Sequence, residues 1–277
     1  MRAMVLEEQP GELRLRDVPT PEPGPGQVLI RVSTCGVCRT DGDCRYCREG
    51  RENLCERARF TGYDIDGGYA GFAVADQRFC FPLPAAIDDA HVAPLLCAGM
   101  IGFRALRIAG DGVNLGLFGF GSSAHILCQI AAAEGRRVFA FTRPGDRSGQ
   151  DFALSLGAAW AGGSDEVPPE LLDAAIVFAP VGSLIIDALK VSARGARVVS
   201  AGIHMSDIPS FPYELLWEER SLHSVANLTR SDGSALLELA ARHRVTPQVE
   251  VLPLEQANQA LAAIRSGASE GSTVLKL

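Results

Sequence analysis

The sequence predicts an α/β protein, with a parallel sheet covered by helices on both faces and a second, mainly β domain that carries a cysteine-rich lobe. Three observations point there. Buried-strand and amphipathic-helix patterns alternate from residue 113 onward, as a parallel sheet requires. A glycine turn leaves the first strand of that run and opens its first helix. Before it, short β-branched segments alternate with proline and glycine, and five of the eight cysteines fall between positions 35 and 55.

The elements follow in order. Residues 19–25 form a Pro/Gly/Glu loop, and 27–33 have the β-branched content of a strand. Two further extended segments are expected at 69–75 and 78–82, after the turn at Gly67 and Gly68. From 88 to 107 the pattern is helical, interrupted by Gly99 and Gly102, and Gly110-Asp-Gly112 marks a domain junction. A buried strand at 113–118 leads into Gly119-Phe-Gly121-Ser122-Ser123-Ala124. Ala124, Leu127, Cys128 and Ala131 then share one helical face, with Gly135 as the stop. Residues 137–142, 173–179 and 196–201 read as further strands, with a helix over 183–192. Ala257, Ala260, Leu261 and Ile264 make a last helical face, and 273–277 a closing strand. The expected domains are therefore 1–110, 111–230 and a segment 231–277 that returns to the first.

Composition narrows the function. A chain of 277 residues with 47% apolar and 21% charged content buries real cores. A net charge of -7 without a basic cluster excludes nucleic acid and anionic membrane as main partners and leaves small molecules. The N-terminal residues lack the apolar core of a signal peptide, and no uninterrupted apolar run spans a bilayer. A cytoplasmic location is expected, where clustered thiols bind metal rather than pair as disulfides.

The glycine turn identifies a dinucleotide site, and with it a Rossmann domain. Gly119 permits the tight turn, Gly121 lets a pyrophosphate approach the backbone, and Ala124 lets helix and strand pack closely. The N–H groups around Ser122 and Ser123 then face the phosphates. At the end of the second strand an NAD site usually has an acidic residue for the ribose. This chain has Thr142 and Arg143, with Arg147 nearby, so NADP is favoured over NAD.

Cys35-Gly-Val-Cys38-Arg39-Thr40-Asp41 runs directly into Gly42-Asp43-Cys44-Arg-Tyr-Cys47, with Cys55 after it. Cysteines two residues apart can turn toward one tetrahedral ion, which reads as a zinc lobe. Together with Gly67-Gly-Tyr-Ala70, Pro94-Leu-Leu-Cys97-Ala-Gly99 and the glycine turn, these motifs resemble the zinc-dependent alcohol dehydrogenases of the medium-chain dehydrogenase/reductase superfamily. The resemblance covers nearly the whole chain. It implies a GroES-like catalytic domain built from both chain ends around the Rossmann domain. It also implies that Cys38 and Cys97 are ligands of a catalytic zinc, that Thr40 relays the alcohol proton, and that Arg39 lies near the pyrophosphate. Cys44, Cys47 and Cys55 would bind a structural zinc, and a homodimer or homotetramer is expected.

The chain departs from the family at one place. In the family a long block separates the Cys-x-Thr-Asp element from the structural lobe, and it holds the Gly-His-Glu element with the catalytic histidine ligand and several barrel strands. Here each zinc site reads as one ligand short, and Asp41 stands at the spacing of the missing lobe cysteine. Two accounts are open: the block is deleted, or it is absent from the sequence as written. Unpaired barrel edges favour the second. His91, six residues before Cys97 on a helix, points elsewhere and reads as a surface residue. His125 has a helix-face role, and His204 lies at the carboxyl edge of the sheet. Cys80 and Cys128 read as core residues, and Cys35 is ambiguous. The primary expectation is hydride transfer between an alcohol and an aldehyde or ketone. The alternatives are a zinc-independent quinone or enoyl reductase and a non-catalytic dinucleotide-binding remnant.

Overall fold

The computed structural model describes residues 1–32, 38–267 and 270–277, with Cys38 and Arg39 described by their backbone alone. Cys35 lies outside the described residues. Two compact units emerge: Met1–Cys97 with Leu228–Ala241 and Pro247–Leu277, and Ala98–Asn227 with Arg242–Thr246.

In chain order the first unit begins with β1 (Arg2–Leu6), β2 (Leu13–Asp17), β3 (Gln27–Arg31), β4 (Cys38–Arg39), α1 (Arg45–Arg48), β5 (Arg59–Phe60), β6 (Phe72–Asp76) and α2 (Asp89–Pro94). The second unit contains α3 (Met100–Ala109), β7 (Asn114–Phe118), α4 (Ser122–Ala133), β8 (Arg137–Thr142), α5 (Arg147–Ser155), β9 (Trp160–Gly163), β10 (Leu172–Val177), α6 (Ser183–Lys190), β11 (Ser192–Ser200) and β12 (Ser221–Ser224). Most of α7 (Arg230–Arg242), then β13 (Val249–Pro253), α8 (Ala257–Ser266) and β14 (Ser272–Lys276), belongs to the first unit.

The second unit is a six-stranded sheet in the order β9-β8-β7-β10-β11-β12, parallel at every pairing. Strand alternation divides its core in two. Leu115, Leu117, Val138 and Ala140 face one layer, where Ala124, Leu127, Cys128 and Ala131 of α4 cover them. Phe118, Phe139 and Phe141 face the other with Ile185 and Leu189 of α6. Phe118 and Phe141 stack with ring centroids 4.0 Å apart. Each of the buried Val, Leu, Ile and Phe side chains among these contributes about 1.5–3 kcal/mol. The strand order reverses between β7 and β10, so their carboxyl ends open a crevice where ligands bind in this architecture.

In the first unit the described strands pair only two by two: β1 with β2, β3 with β6, β4 with β5, and β13 with β14. The first three pairs are antiparallel and the last is parallel. Leu6, Leu15, Leu29 and Val251 are exposed on these short sheets.

Four local expectations change. Instead of an extended segment at 78–82, Gln77–Phe79 forms a 3-10 turn, because the Asp76 carboxylate accepts the Arg78 N–H at 3.0 Å and caps it. Cys80 is exposed rather than core, with its thiol 3.5 Å from the Asp76 carbonyl. On α8, Ala257 and Ala260 are buried but Ile264 is 56% exposed, so the apolar face is only partly used. The helical stretch Asp89–Ala109 is long and apolar enough, by length and composition alone, to cross a membrane, which the sequence reading did not anticipate; half of it is buried within the protein.

Candidate active site and metal centre

The metal lobe is assembled locally. Cys44 caps the short helix α1, which carries Cys47 on its single turn, and the 3-10 turn Glu52–Leu54 delivers Cys55. The thiols of Cys44 and Cys47 lie 3.6 Å apart. A carboxylate oxygen of Asp41 joins them, so that the ligand atoms of Asp41, Cys44, Cys47 and Cys55 all lie within 4.8 Å of one another. Thiolate ligands about 2.3 Å from a tetrahedral zinc are separated by about 3.8 Å, so a small contraction closes this cage. The donor set therefore fits a structural zinc ion. Asp41, which stands in the sequence at the spacing of the missing lobe cysteine, lies beside the three thiols as a fourth possible donor.

Asp41 is held by its surroundings. Its Oδ1 accepts the N–H groups of Asp43 at 2.8 Å and Cys44 at 3.1 Å, and its Oδ2 accepts Arg57 Nε at 2.6 Å. A carboxylate offers about four lone-pair sites, so these three bonds leave one for a metal. The N–H groups, joined by Arg57, hold the carboxyl well below the usual carboxylate range. Burial pushes the Cys47 thiol up to about 12, whereas the N–H groups of Cys47 and Glu56 lower that of Cys44. The lobe is also tied to α7. Glu52, itself buried, accepts the Arg230 N–H at 3.0 Å and Arg230 Nε at 3.2 Å, which satisfies a first-turn donor of that helix.

The residues expected to serve a catalytic zinc are Cys38, Thr40 and Cys97. Cys97 lies on a π turn, Leu95–Gly99, and is exposed. The side chain of Cys38, like that of Arg39, lies outside the described residues. Thr40 is buried, and its carbonyl accepts Arg78 Nη2 at 3.3 Å. His91 is engaged at the start of α2, with Nδ1 2.7 Å from Asp88 Oδ2. Among the described residues the Asp41 lobe is the one group of three or more His, Cys, Asp or Glu side chains able to converge on a metal. Among the described residues, no group of three such side chains includes Cys97.

The second unit places a dinucleotide turn at the switch point. Gly119 ends β7 with φ +86°, and a Cβ there would lie 2.8 Å from the Ala179 nitrogen just beyond β10. Its N–H donates to the Phe141 carbonyl at 2.8 Å, which pins the turn to the end of β8. Gly121 is the N-cap of α4 and offers no side-chain cap to the first turn. A Cβ on Gly121 would meet nothing within 4 Å, so the backbone there faces open space. Ser122, Ser123 and the fully buried Ala124 form the first turn of α4, at the helix end that favours an anion. This is the cradle a pyrophosphate requires. His125 is fully buried with Nδ1 3.2 Å from the Gly121 carbonyl, and burial lowers its pKa, consistent with the helix-face role.

At the end of β8, Thr142 is buried and its hydroxyl is used internally. It donates toward the carbonyls of Arg143 at 3.2 Å and Gly162 at 3.3 Å, and accepts Gln150 Nε2 at 3.3 Å. These bonds tie Thr142 into the turn at the end of β8. Arg143 is exposed on that turn. The first carboxylate after the strand, Asp146, caps α5 by accepting the Gly149 N–H at 3.0 Å. Sequence reasoning missed this cap, although an aspartate three residues before a glycine at a helix start is a readable signal.

Comparison with known proteins agrees with this architecture. Residues 41–85 match the family model for the alcohol dehydrogenase GroES-like domain, and the match begins at the junction residue. The chain is 38% identical to a probable alcohol dehydrogenase, AdhA, of Mycobacterium tuberculosis (strain CDC 1551 / Oshkosh), over 92% of this chain and 90% of the relative. It is 28% identical to an alcohol dehydrogenase of Geobacillus stearothermophilus over 100% of this chain and 99% of the relative. That alignment spans 338 positions for the 277 residues here, so the relative has residues where this chain has none. The crystal structure of the alcohol dehydrogenase from the archaeon Aeropyrum pernix superposes with a TM-score of 0.89 at 21% identity, covering all of both chains. The expected pairing of a Rossmann domain with a GroES-like domain holds, and the chain belongs to the zinc-type alcohol dehydrogenases of the medium-chain dehydrogenase/reductase superfamily.

Proposed function

We propose that this chain is an alcohol dehydrogenase that exchanges hydride between NADP(H) and a small alcohol or its aldehyde or ketone. The observation that carries the reading is the intact dinucleotide cradle at the β7/β10 switch point: Gly119 at φ +86° against Ala179, open space at Gly121, and the uncapped first turn of α4. The nicotinamide supplies or accepts the hydride when the cofactor is bound. The protein's part is to hold the pyrophosphate on Gly121, Ser122 and Ser123 and to present the Arg143 guanidinium, with Arg147 four residues on, to a 2′-phosphate. Thr40 is the hydroxyl proposed to pass the proton to or from the substrate oxygen, and Arg39 the cation proposed beside the pyrophosphate. Both roles rest on the family resemblance. A zinc ion in the Asp41, Cys44, Cys47 and Cys55 cage would cross-link the lobe.

Two further proposals accompany this one. β12 is the last strand of the sheet and pairs on one side only, with β11, among the described residues. Nearby, Tyr213 and Trp217 form an exposed edge-to-face pair. An open strand edge beside exposed aromatics suits a two-fold contact with a second copy, which supports a homodimer or a homotetramer built from it. A reducing cytoplasm suits the unpaired thiols of the lobe.

The experiment that tests the assignment is NADPH oxidation with a panel of small aldehydes and ketones, repeated with NADH and with Arg143→Ala. Turnover that prefers NADPH, and a loss of that preference by about 10- to 100-fold in the variant, is expected for the removal of one charge-assisted phosphate contact. NADH-only turnover, or none with either cofactor, contradicts the proposal.

A further inference from the structure

We infer that Gln150, buried at the start of α5, is a positioning residue for cofactor choice: its side-chain amide, anchored on Thr142, aims the Arg147 guanidinium at the 2′-phosphate. The inference rests on the NADP reading above and adds how that preference is built.

The amide joins two residues. Gln150 stands three residues after Arg147 on α5, on the same helix face. It is only 5% exposed, so its polar atoms must be satisfied inside the protein. Its Oε1 accepts Arg147 Nη1 at 3.3 Å, and its Nε2 donates to Thr142 Oγ1 at 3.3 Å. The Thr142 hydroxyl in turn lies 3.2 Å from the Arg143 carbonyl and 3.3 Å from that of Gly162. Donor chemistry fixes the direction of every bond in this chain. A guanidinium has no acceptor, so the amide turns its oxygen to Arg147 and its nitrogen to Thr142. The hydroxyl accepts from the amide and keeps its one proton for a carbonyl. The reverse orientation would set an amide N–H against the Arg147 N–H, so one arrangement remains.

The surroundings explain why the aim of Arg147 matters. Asp146 accepts the Gly149 N–H at 3.0 Å, and Glu166 accepts the Gly163 N–H at 2.9 Å, with Asp165 beside it on the turn after β9. Gly163 pairs with Thr142, so these acids stand one strand from the turn that carries Arg143. Neighbouring strands are about 4.8 Å apart, well inside the Debye length of about 8 Å, and carboxylates at that range repel a phosphate. Arg147 is exposed and has the rotamer freedom of a long side chain. Unguided, its guanidinium could turn to these carboxylates as readily as to a ligand. Gln150 occupies one of its five N–H donors and leaves the others for phosphate oxygens. A carboxylate at position 150 would neutralise the arginine, whereas a neutral amide orients it and leaves its charge intact.

The test is the affinity of the full chain for adenosine 2′,5′-bisphosphate and for 5′-AMP, two probes that differ only in the 2′-phosphate, measured by titration calorimetry. The wild-type chain should bind the bisphosphate more tightly. Gln150→Met nearly conserves volume and removes both amide bonds. It should lower the ratio of the two affinities by about 3- to 10-fold, the range for one neutral hydrogen bond, with 5′-AMP affinity and the urea midpoint at their wild-type values. Gln150→Leu, a second apolar replacement, should do the same. Arg147→Met should lower the ratio by about 10- to 100-fold, as the loss of a charge-assisted contact does. Because Gln150 acts through Arg147, the double variant should lose no more than Arg147→Met alone. An unchanged ratio in both Gln150 variants, an equal loss of 5′-AMP affinity, or a double variant whose loss is the product of the two single losses overturns the inference and leaves the NADP reading standing. A wild-type chain that binds both probes equally contradicts the NADP reading itself, and the inference falls with it.

Discussion

Gly119 and Gly121 have different work although the motif treats them alike. At Gly119 a side chain meets both a positive φ and the Ala179 backbone 2.8 Å away, so Gly119→Ala is a folding lesion. It should cost about 1–3 kcal/mol of stability, the usual cost of such strain, seen as a lower urea midpoint. At Gly121 a methyl group meets only open space, so Gly121→Ala should unfold at the wild-type urea concentration within about 0.5 kcal/mol yet lose NADPH affinity. Equal stability losses in the two variants would show that the open space is not the pyrophosphate position. The motif was legible in the sequence because each glycine type has a physical reason; the difference between them was not, since it depends on Ala179, sixty residues away in sequence and across the β7/β10 boundary. Asp41 shows the same limit. Its spacing named it a candidate, but only the fold of 41–57 put its oxygen within reach of three sulfurs.

Among the elements, β7, α4 and β8 were the most readable, because the period changes from 2 to 3.6 and back with a glycine at each turn. The first unit was less so. The five-residue strands β1, β2 and β13 lie outside the expected elements, and 78–82, expected to be extended, opens in a 3-10 turn capped by Asp76. The lobe is the element whose behaviour depends most on pH. Cys47, pushed up to about 12 by burial, is protonated at neutral pH in the absence of metal, so zinc binding must release its proton. Asp41 is depressed, so its ionised form persists, and its contribution to the lobe is present above the ordinary carboxylate pKa and lost only as pH falls through the lowered value. Acidification should therefore release zinc by protonating thiolates before the carboxylate. Zinc retention followed from pH 8 downward should collapse above the carboxylate range; retention down to the titration of Asp41 itself would contradict this order.

At the scale of the whole molecule, the two units differ in what completes them. The Ala98–Asn227 unit has a continuous six-stranded sheet and two packed faces, whereas the described strands of the other pair two by two. Heating should therefore give two transitions rather than one. NADPH at a hundred times its dissociation constant should stabilise the sheet-bearing unit by about 2.7 kcal/mol, and a chelator should lower only the other transition. Calorimetry with each additive checks this, and a single transition moved by both would contradict it. The central claim is that this shortened member of the family still transfers hydride, and the most direct measurement follows the atom itself. Purified full chain is given NADPH carrying deuterium at the transferable position of the nicotinamide, together with a small aldehyde, and the product is read by mass spectrometry. The account predicts one deuterium on the carbinol carbon of the alcohol. An aldehyde returned unlabelled and unreduced from a protein that binds NADPH would contradict it and leave a dinucleotide-binding protein without turnover.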